Sequence, residues 1–543
     1  MANNFFVKKS VDELIAQTEE KEHKLKRVLG PFDLILLGIG AIIGTGIFVL
    51  TGVGAALHAG PAITLSFAVS ALACVFAALC YAEFASIIPV SGSAYTYAYA
   101  TIGELLAWII GWDLILEYAV CSITVAIGWS GYLVNLFAAV GIIIPEWMSQ
   151  PPFNLPAAII VAVITTLLVI GIKESARFNN VIVIVKLAVI LFFIGLGAFF
   201  VRPENWSPFM PFGWTGVMTG AAIVFFAYIG FDAVSTTAEE TRNPQRDLPV
   251  GIIVSLLVCS TLYIIVALIL TGIIPVMDYA ADQSFLSAPI AFALNVIHQD
   301  WASGIISVGA VMGITSVLLV MMMGQPRIFF AMSRDRLFPE NISKVHPRFR
   351  TPYRTTIITG IVVGLVALLI PIGTAAELAN IGTLFAFAIV SAAVLILRRT
   401  NPGIKRSFRV PFIYVLSPLG VLSSLYLMYS LPVITWIRFL AWLDIGLLIY
   451  YFYSRTHSKL AEKANRDKVF HWRDMLEFFG IFAFINGFLF GLMSLLAKTG
   501  ISSMKTWNEI NLNPGHTLSV CIILILTGSA MFLTGRIGKR NQA

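Results

Sequence analysis

Hydrophobic residues in this chain come in long continuous runs separated by short polar stretches. They show neither the alternation of a half-buried strand nor the one-sided stripe of a helix on a soluble core. Fourteen runs are countable, centred on 31–56, 62–83, 104–138, 155–172, 178–201, 215–238, 250–274, 302–331, 355–371, 376–397, 412–431, 436–453, 475–496 and 518–535. About 20 apolar residues suffice to cross the hydrocarbon of a bilayer as a helix. Continuous runs also exclude a transmembrane β-barrel, whose strands alternate. The expectation is an all-α polytopic membrane protein with about 14 transmembrane helices.

Two of these runs carry residues that oppose an unbroken helix. The first contains GIGAIIGTGIF, with Gly38, Gly40, Gly44 and Gly46 close together and Thr45 between the last pair. Each glycine costs a helix about 1 kcal/mol relative to alanine, so the spacing predicts a break near 44–46. A break in hydrocarbon strands amide groups that water cannot reach. The N–H groups of Gly44, Thr45 and Gly46 would open the next half-helix, whose positive end suits a carboxylate. The carbonyls of Ile42 and Ile43, on the other side, suit an ammonium or a cation. Close helix packing through Gly40-xxx-Gly44 is the alternative reading.

The sixth run, FFAYIGFDAVSTTAEETRNPQRDLP, repeats the weakness with Gly230 and Asp232, followed by Ser235, Thr236 and Thr237. Asp232 suits capping of N–H groups freed at that break. Interrupted helices at matching positions of two halves are the signature of an inverted-repeat transporter. The first repeat would cover 31–201 and the second 215–397, with 412–453 and 475–535 as two further helix pairs. Residues 1–30 and 536–543 would be cytoplasmic ends.

Charge fixes the expected orientation. Only 12% of the 543 residues are charged, against 58% hydrophobic, and the mean hydropathy is +0.87. With the amino terminus inside, 31 of the 36 lysines and arginines fall on inner segments and four on outer ones. That asymmetry follows the positive-inside rule and places both termini in the cytoplasm. The net charge of +7 is therefore topological, and no nucleic-acid partner is needed to explain it. The polar start, with no apolar core or cleavage site, predicts no cleaved signal peptide. The stretch from Met277 to Asp300 is outside, partly apolar and too short to span, which suits a helix lying across the outer mouth. The basic segment RIFFAMSRDRLFPENISKVHPRFRTPYR reads as a topology anchor. Cys74, Cys80, Cys121, Cys259 and Cys521 lie in apolar runs without metal-type spacing and read as packing residues. No metal, cofactor or enzymatic constellation is expected.

A few charges and hydroxyls inside the spans are the candidate chemistry. Lys186 stands alone in NVIVIVKLAVILFFIGLGAFF. An intramembrane lysine costs about 2.5 kcal/mol or more and reads as functional by default. Either it snorkels toward the interface near Asn180, or it faces the bundle and alternates between charged and neutral forms. Asp113 and Glu117 share one face of the third span, and Glu117 either serves substrate and the unwound backbone or is satisfied by neighbouring helices. Thr315 and Ser316 in the eighth span either face a site or bond back to their own helix carbonyls. Met321, Met322 and Met323 read as core packing, with an adaptable pocket lining as the alternative.

Four blocks in order carry a resemblance: GIGAIIGTGIFVLTG at 38–52, AEFASIIPVSGSAYTYAYATIGELLAWIIGWDLILEY at 82–118, the sixth-run stretch at 225–249, and QPRIFFAMSRDRLFP at 325–339. Across essentially its whole length the chain resembles amino acid/polyamine/organocation (APC) transporters, within them the cationic amino acid transporter family and its bacterial relatives. The resemblance implies the LeuT-type fold, a 5+5 inverted repeat with unwound first and sixth helices. It implies an L-amino acid substrate, with its carboxylate on the N–H groups of Thr45 and Gly46. The ammonium would meet the carbonyls of Ile42, Phe226 and Ile229, with Phe226 closing over the substrate. Lys186 would stand at the vacated sodium position of proton-coupled members, facing the carbonyls of Gly40 and Ile43 and the hydroxyls of Thr315 and Ser316. Glu117 matches a glutamate near the unwound first span. The implied activity is proton-coupled uptake of small neutral or cationic amino acids by alternating access at the cell membrane, among membrane lipids. A proton-independent exchanger is the runner-up, and a nutrient sensor a more distant third.

Overall fold

The first apolar run folds as two half-helices. Helix α1, Pro31–Ile42, starts with a proline at its first position, and the Asp33 carboxylate accepts from Gly30 N at 2.9 Å. It stops at Ile42, and helical structure resumes at Gly46 with a π-helical turn, Gly46–Leu50. The sixth run is interrupted in the same way. The helix Gly213–Val224 stops, a short 3₁₀ turn covers Phe225–Tyr228, Gly230 sits at φ +119°, and 3₁₀ structure continues over Asp232–Glu240. Both breaks expected from the glycines are present.

This computed structural model describes residues 29–88, 93–170, 176–339, 351–459, 472–498 and 524–531, with 341, 342, 344, 346, 349 and 462. The amino-terminal segment through residue 28, Cys521 and the carboxy-terminal tail from 536 lie outside the described residues. Between and beyond the broken helices run α2 (Ile63–Ile87), α3 (Glu104–Ala139), α4 (Leu155–Ile170), α5 (Ala176–Gly197) and α6 (Gly213–Val224). They are followed by α7 (Pro244–Ile273), α8 (Asp300–Arg334), α9 (Tyr353–Leu369), α10 (Ile372–Thr400), α11 (Ile413–Tyr429), α12 (Val433–Ile449) and α13 (Trp472–Lys498). Among the described residues, eight helices are long and apolar enough to cross a membrane and five shorter ones are apolar. The protein is an all-helical integral membrane protein.

The two broken segments run in opposite directions. Leu29, just before α1, pairs with Thr241, just after the sixth segment, and Arg242 N donates to Leu29 O at 3.0 Å. The first segment therefore starts where the sixth ends. Midway, the two breaks touch. A side chain at Gly46 would collide with Ala227, and one at Gly230 would meet Ala41 O at 2.9 Å. The glycines thus serve both readings of the sequence: they break the helices, and they let the broken backbones approach.

Around this pair, α3 packs along α8, α2 along α7, and α5 against both α1 and α8. Polar contacts fasten the frame at its ends. Glu83 on α2 accepts from Arg398 on α10 at 2.9 and 2.6 Å and from Val410 N at 2.8 Å. Arg406 lies against the same carboxylate at 3.3 Å. The stretch between α7 and α8, expected to lie across one mouth, forms the short helices Gln283–Ser287 and Pro289–Val296. Helix α13 is tied to α12 by Asn486 Nδ2 donating to Asp444 Oδ1 at 2.8 Å.

Overpacking a close contact costs about 1–3 kcal/mol. Gly46→Ala is therefore expected to lower the apparent unfolding temperature of the detergent-purified protein. Gly195 on α5 has open space around it, so Gly195→Ala should hold or raise that temperature by helix propensity alone. Thermal unfolding of the two variants side by side tests the assignment.

Candidate functional site

Breaking two helices at one level concentrates unpaired backbone polarity there. The first N–H groups of a half-helix have no partner in their own helix, and neither do the last carbonyls of the half before it. A cavity of about 10 Å³ lies at this point, lined from the first break by Ile42, Gly44, Thr45 and Gly46 and from the second by Phe226 and Ile229. That is room for no more than about one water, so a larger guest requires the walls to move. Thr45 is fully buried and its hydroxyl has no hydrogen-bond partner among the described residues.

The remaining wall is apolar. Cys121 and Val125 on α3, and Val317 and Met321 on α8, face the cavity. Each pair is spaced by four, so one helical face supplies both members. Glu117, one turn before Cys121 on α3, does not line the cavity. It is buried beside Thr383 on α10, with the Asp232 and Asp113 carboxyl groups as neighbours. The Asp232 carboxylate accepts from backbone N–H groups at Gly230 and Ala233, so it caps the second break. Asp113 is buried against Gly382 and neither of its oxygens has a hydrogen-bond partner among the described residues.

Side chains from outside the breaks serve the stranded carbonyls. Lys186 on α5 is fully buried, and its Nζ donates to Gly40 O at 2.8 Å and Ile43 O at 3.1 Å. It does not reach toward Asn180, whose amide donates instead to Asp33 at 2.9 Å. The Lys186 stem packs on Gly313 of α8. Thr315 and Ser316 on that helix donate to their own backbone, at Val311 O and Gly313 O, and Trp129 donates to Thr315 Oγ1 at 2.9 Å. Asn380 on α10 donates to Ala222 O at 2.7 Å and Ile223 O at 3.0 Å, the last carbonyls of α6. Tyr263 on α7 lies 2.8 Å from both Ile42 O and Ala227 O, one carbonyl from each break.

A second cavity of about 320 Å³ adjoins the first, bordered by Leu57, Gly128, Gln283 and Glu377. Gly128 also abuts the Thr45 side chain. The two spaces are neighbours across that contact.

Sequence reasoning named the break residues, Lys186 and Phe226, and missed Ala41, Cys121, Val125, Val317, Asn380 and Tyr263. Helical spacing from Glu117 to Cys121 and Val125 was a usable signal for the α3 wall. Nothing local marks Asn380 or Tyr263, which act from helices remote in sequence.

A buried acceptor left without its donor costs about 1–3 kcal/mol. Lys186→Met keeps the volume and strands two carbonyls. It should lower the unfolding temperature of ligand-free protein more than Ser316→Ala, which removes a hydroxyl bonded within its own helix.

The chain matches known proteins over nearly all of these elements. The amino acid permease family model matches residues 29–448. The chain is 54% identical over 469 residues to the branched-chain amino acid permease BcaP of Bacillus subtilis (strain 168), covering 85% of this chain and 100% of that protein. It is 52% identical over 465 residues to the methylthioribose transporter of the same organism, covering 84% and 99%. It is 37% identical over 390 residues to cationic amino acid transporter 4 of Homo sapiens, covering 69% and 60%.

Proposed function

The chain belongs to the amino acid permease family of transporters, and from that premise we propose that it is a proton-coupled importer of neutral, aliphatic L-amino acids. One observation carries the reading: the small cavity lies between two broken helices that offer donors on one side and acceptors on the other. A free α-amino acid carries the complementary pair, a carboxylate and an ammonium. The carboxylate goes to the N–H groups of Thr45 and Gly46, at the positive end of the half-helix. The ammonium goes to the carbonyls of Ile42, Phe226 and Ile229, with the Phe226 ring closing over the substrate. The side chain projects against Cys121, Val125, Val317 and Met321. None of these is charged, which favours an aliphatic group over a cationic one. The name of the branched-chain permease supports the same class.

The transport cycle rests on the fold the family shares. In the LeuT-type arrangement, spans one to five and six to ten form inverted repeats around the cavity, and alternating access rocks one bundle against the other. Both termini would be cytoplasmic in the cell membrane. Lys186, bonded to the last carbonyls of α1, would hold the first break in one arrangement when protonated and release it when neutral. Proton loss would thereby accompany substrate release.

The test is uptake of labelled leucine, alanine and arginine into proteoliposomes, with and without an inward proton gradient. Gradient-driven leucine accumulation that disappears in Lys186→Ala, while leucine–leucine exchange persists, is the expected result. Exchange that needs internal amino acid and ignores both the gradient and Lys186 would make the protein an exchanger. Uptake of labelled methylthioribose in place of every amino acid would overturn the substrate class, because that sugar lacks both carboxylate and ammonium.

Specificity gives a second check. A side chain at Gly44 would approach Val317 to 3.0 Å. Since one methylene is worth about tenfold or more in an apolar pocket, Gly44→Ala should cut leucine uptake relative to alanine uptake by about tenfold. An unchanged ratio would remove Val317 from the side-chain subsite.

A further inference from the structure

The stranded carbonyls around the breaks can be matched against the protons available to them. The Asn380 amide has two protons for two carbonyls, Ala222 and Ile223, and Ile223 O also accepts from Phe225 N. The Lys186 ammonium has three for two, Gly40 and Ile43. The Tyr263 hydroxyl has one proton, yet it lies 2.8 Å from each of two carbonyls, Ile42 and Ala227. Among the described residues neither of those carbonyls receives a backbone donor. Tyr263 is fully buried and held by ring contacts to Phe67 and Tyr228, so the hydroxyl cannot swing away to one side. The local count is short by one proton.

The two carbonyls are not equivalent. Ile42 borders the cavity, whereas Ala227 does not and sits against Gly46. An added donor can therefore reach Ile42 O from the cavity, and that donor frees the Tyr263 proton for Ala227 O. We propose that Tyr263 is a positioning residue of the ammonium subsite: its single proton is shared between the two broken helices, and a substrate N–H donor at Ile42 O completes the set. This rests on the amino acid reading above and deepens it. Binding then satisfies both breaks at once and couples them through one hydroxyl. A ligand with the same carboxylate and side chain but no ammonium leaves the count short. Selectivity for amino acids over their des-amino carboxylate analogues, which carry no donor at that position, thus depends on position 263 leaving Ile42 O open to the ligand.

The experiment measures equilibrium binding of leucine and of its des-amino analogue 4-methylpentanoate to purified protein, and reads the ratio of the two affinities. Replacing Tyr263 by para-aminophenylalanine keeps the ring and supplies two protons, one for each carbonyl. Because a hydrogen bond to a charged group is among the stronger ones, the leucine-to-analogue ratio should fall by about tenfold. Tyr263→Phe supplies none, leaves Ile42 O open to the ligand, and should keep the ratio within about twofold of wild type while lowering thermal stability. A wild-type ratio in the para-aminophenylalanine protein, or a collapsed ratio in Tyr263→Phe, would overturn the assignment. So would wild-type protein that binds leucine and the analogue equally. Wild-type protein that binds no amino acid would instead overturn the transport reading itself.

Discussion

A backbone carbonyl in the middle of a membrane helix must find a donor, and that constraint organises this protein. Water is absent there, and an unpaired amide group costs several kcal/mol. By breaking α1 and the sixth segment at one level, the sequence creates a dense set of such groups. The frame around them reads as a set of donors aimed at named carbonyls: Lys186 from α5, Tyr263 from α7 and Asn380 from α10. The Asp232 carboxylate does the reverse job for freed N–H groups. The Thr45 hydroxyl, without a hydrogen-bond partner among the described residues, is left at the cavity.

Glycine makes this geometry possible in two ways. It weakens the helix, and it removes the side chain that would hold the broken backbones apart. Gly46 against Ala227 and Gly230 against Ala41 bring the breaks into direct contact. That contact is why one tyrosine hydroxyl can reach both segments. It also joins the breaks mechanically, so that a change at one is felt at the other without a long pathway. Packed backbones have few intermediate arrangements.

The rest of the bundle restrains this centre. The pairing of α3 with α8 carries the apolar wall, because both helices present residues four apart toward the cavity. Glu83, held by two arginines and a backbone N–H, fixes α2 to α10 and the loop after it. Asp444 and Asn486 tie α13 onto α12, away from the breaks. The family membership rests on the match over residues 29–448; the proposed substrate class rests on the centre, which these contacts hold in register.

The order of residues by itself determined the class of molecule, the level of both breaks and the isolated lysine. These are local properties: apolar run length sets a span, glycine clustering opens a helix, and a charge in hydrocarbon stands out against its neighbours. It left open whether the glycines break or pack, and whether Lys186 snorkels or faces inward. The tertiary structure decided both, since Gly46 does break and pack, and the Lys186 amine is buried on Gly40 and Ile43. Tyr263 and Asn380 became legible only there. A tyrosine or asparagine in an apolar run has no local signature of its target, because the carbonyls it serves lie 36 to 221 residues away along the chain. Their role follows from distance in space, which sequence spacing does not encode.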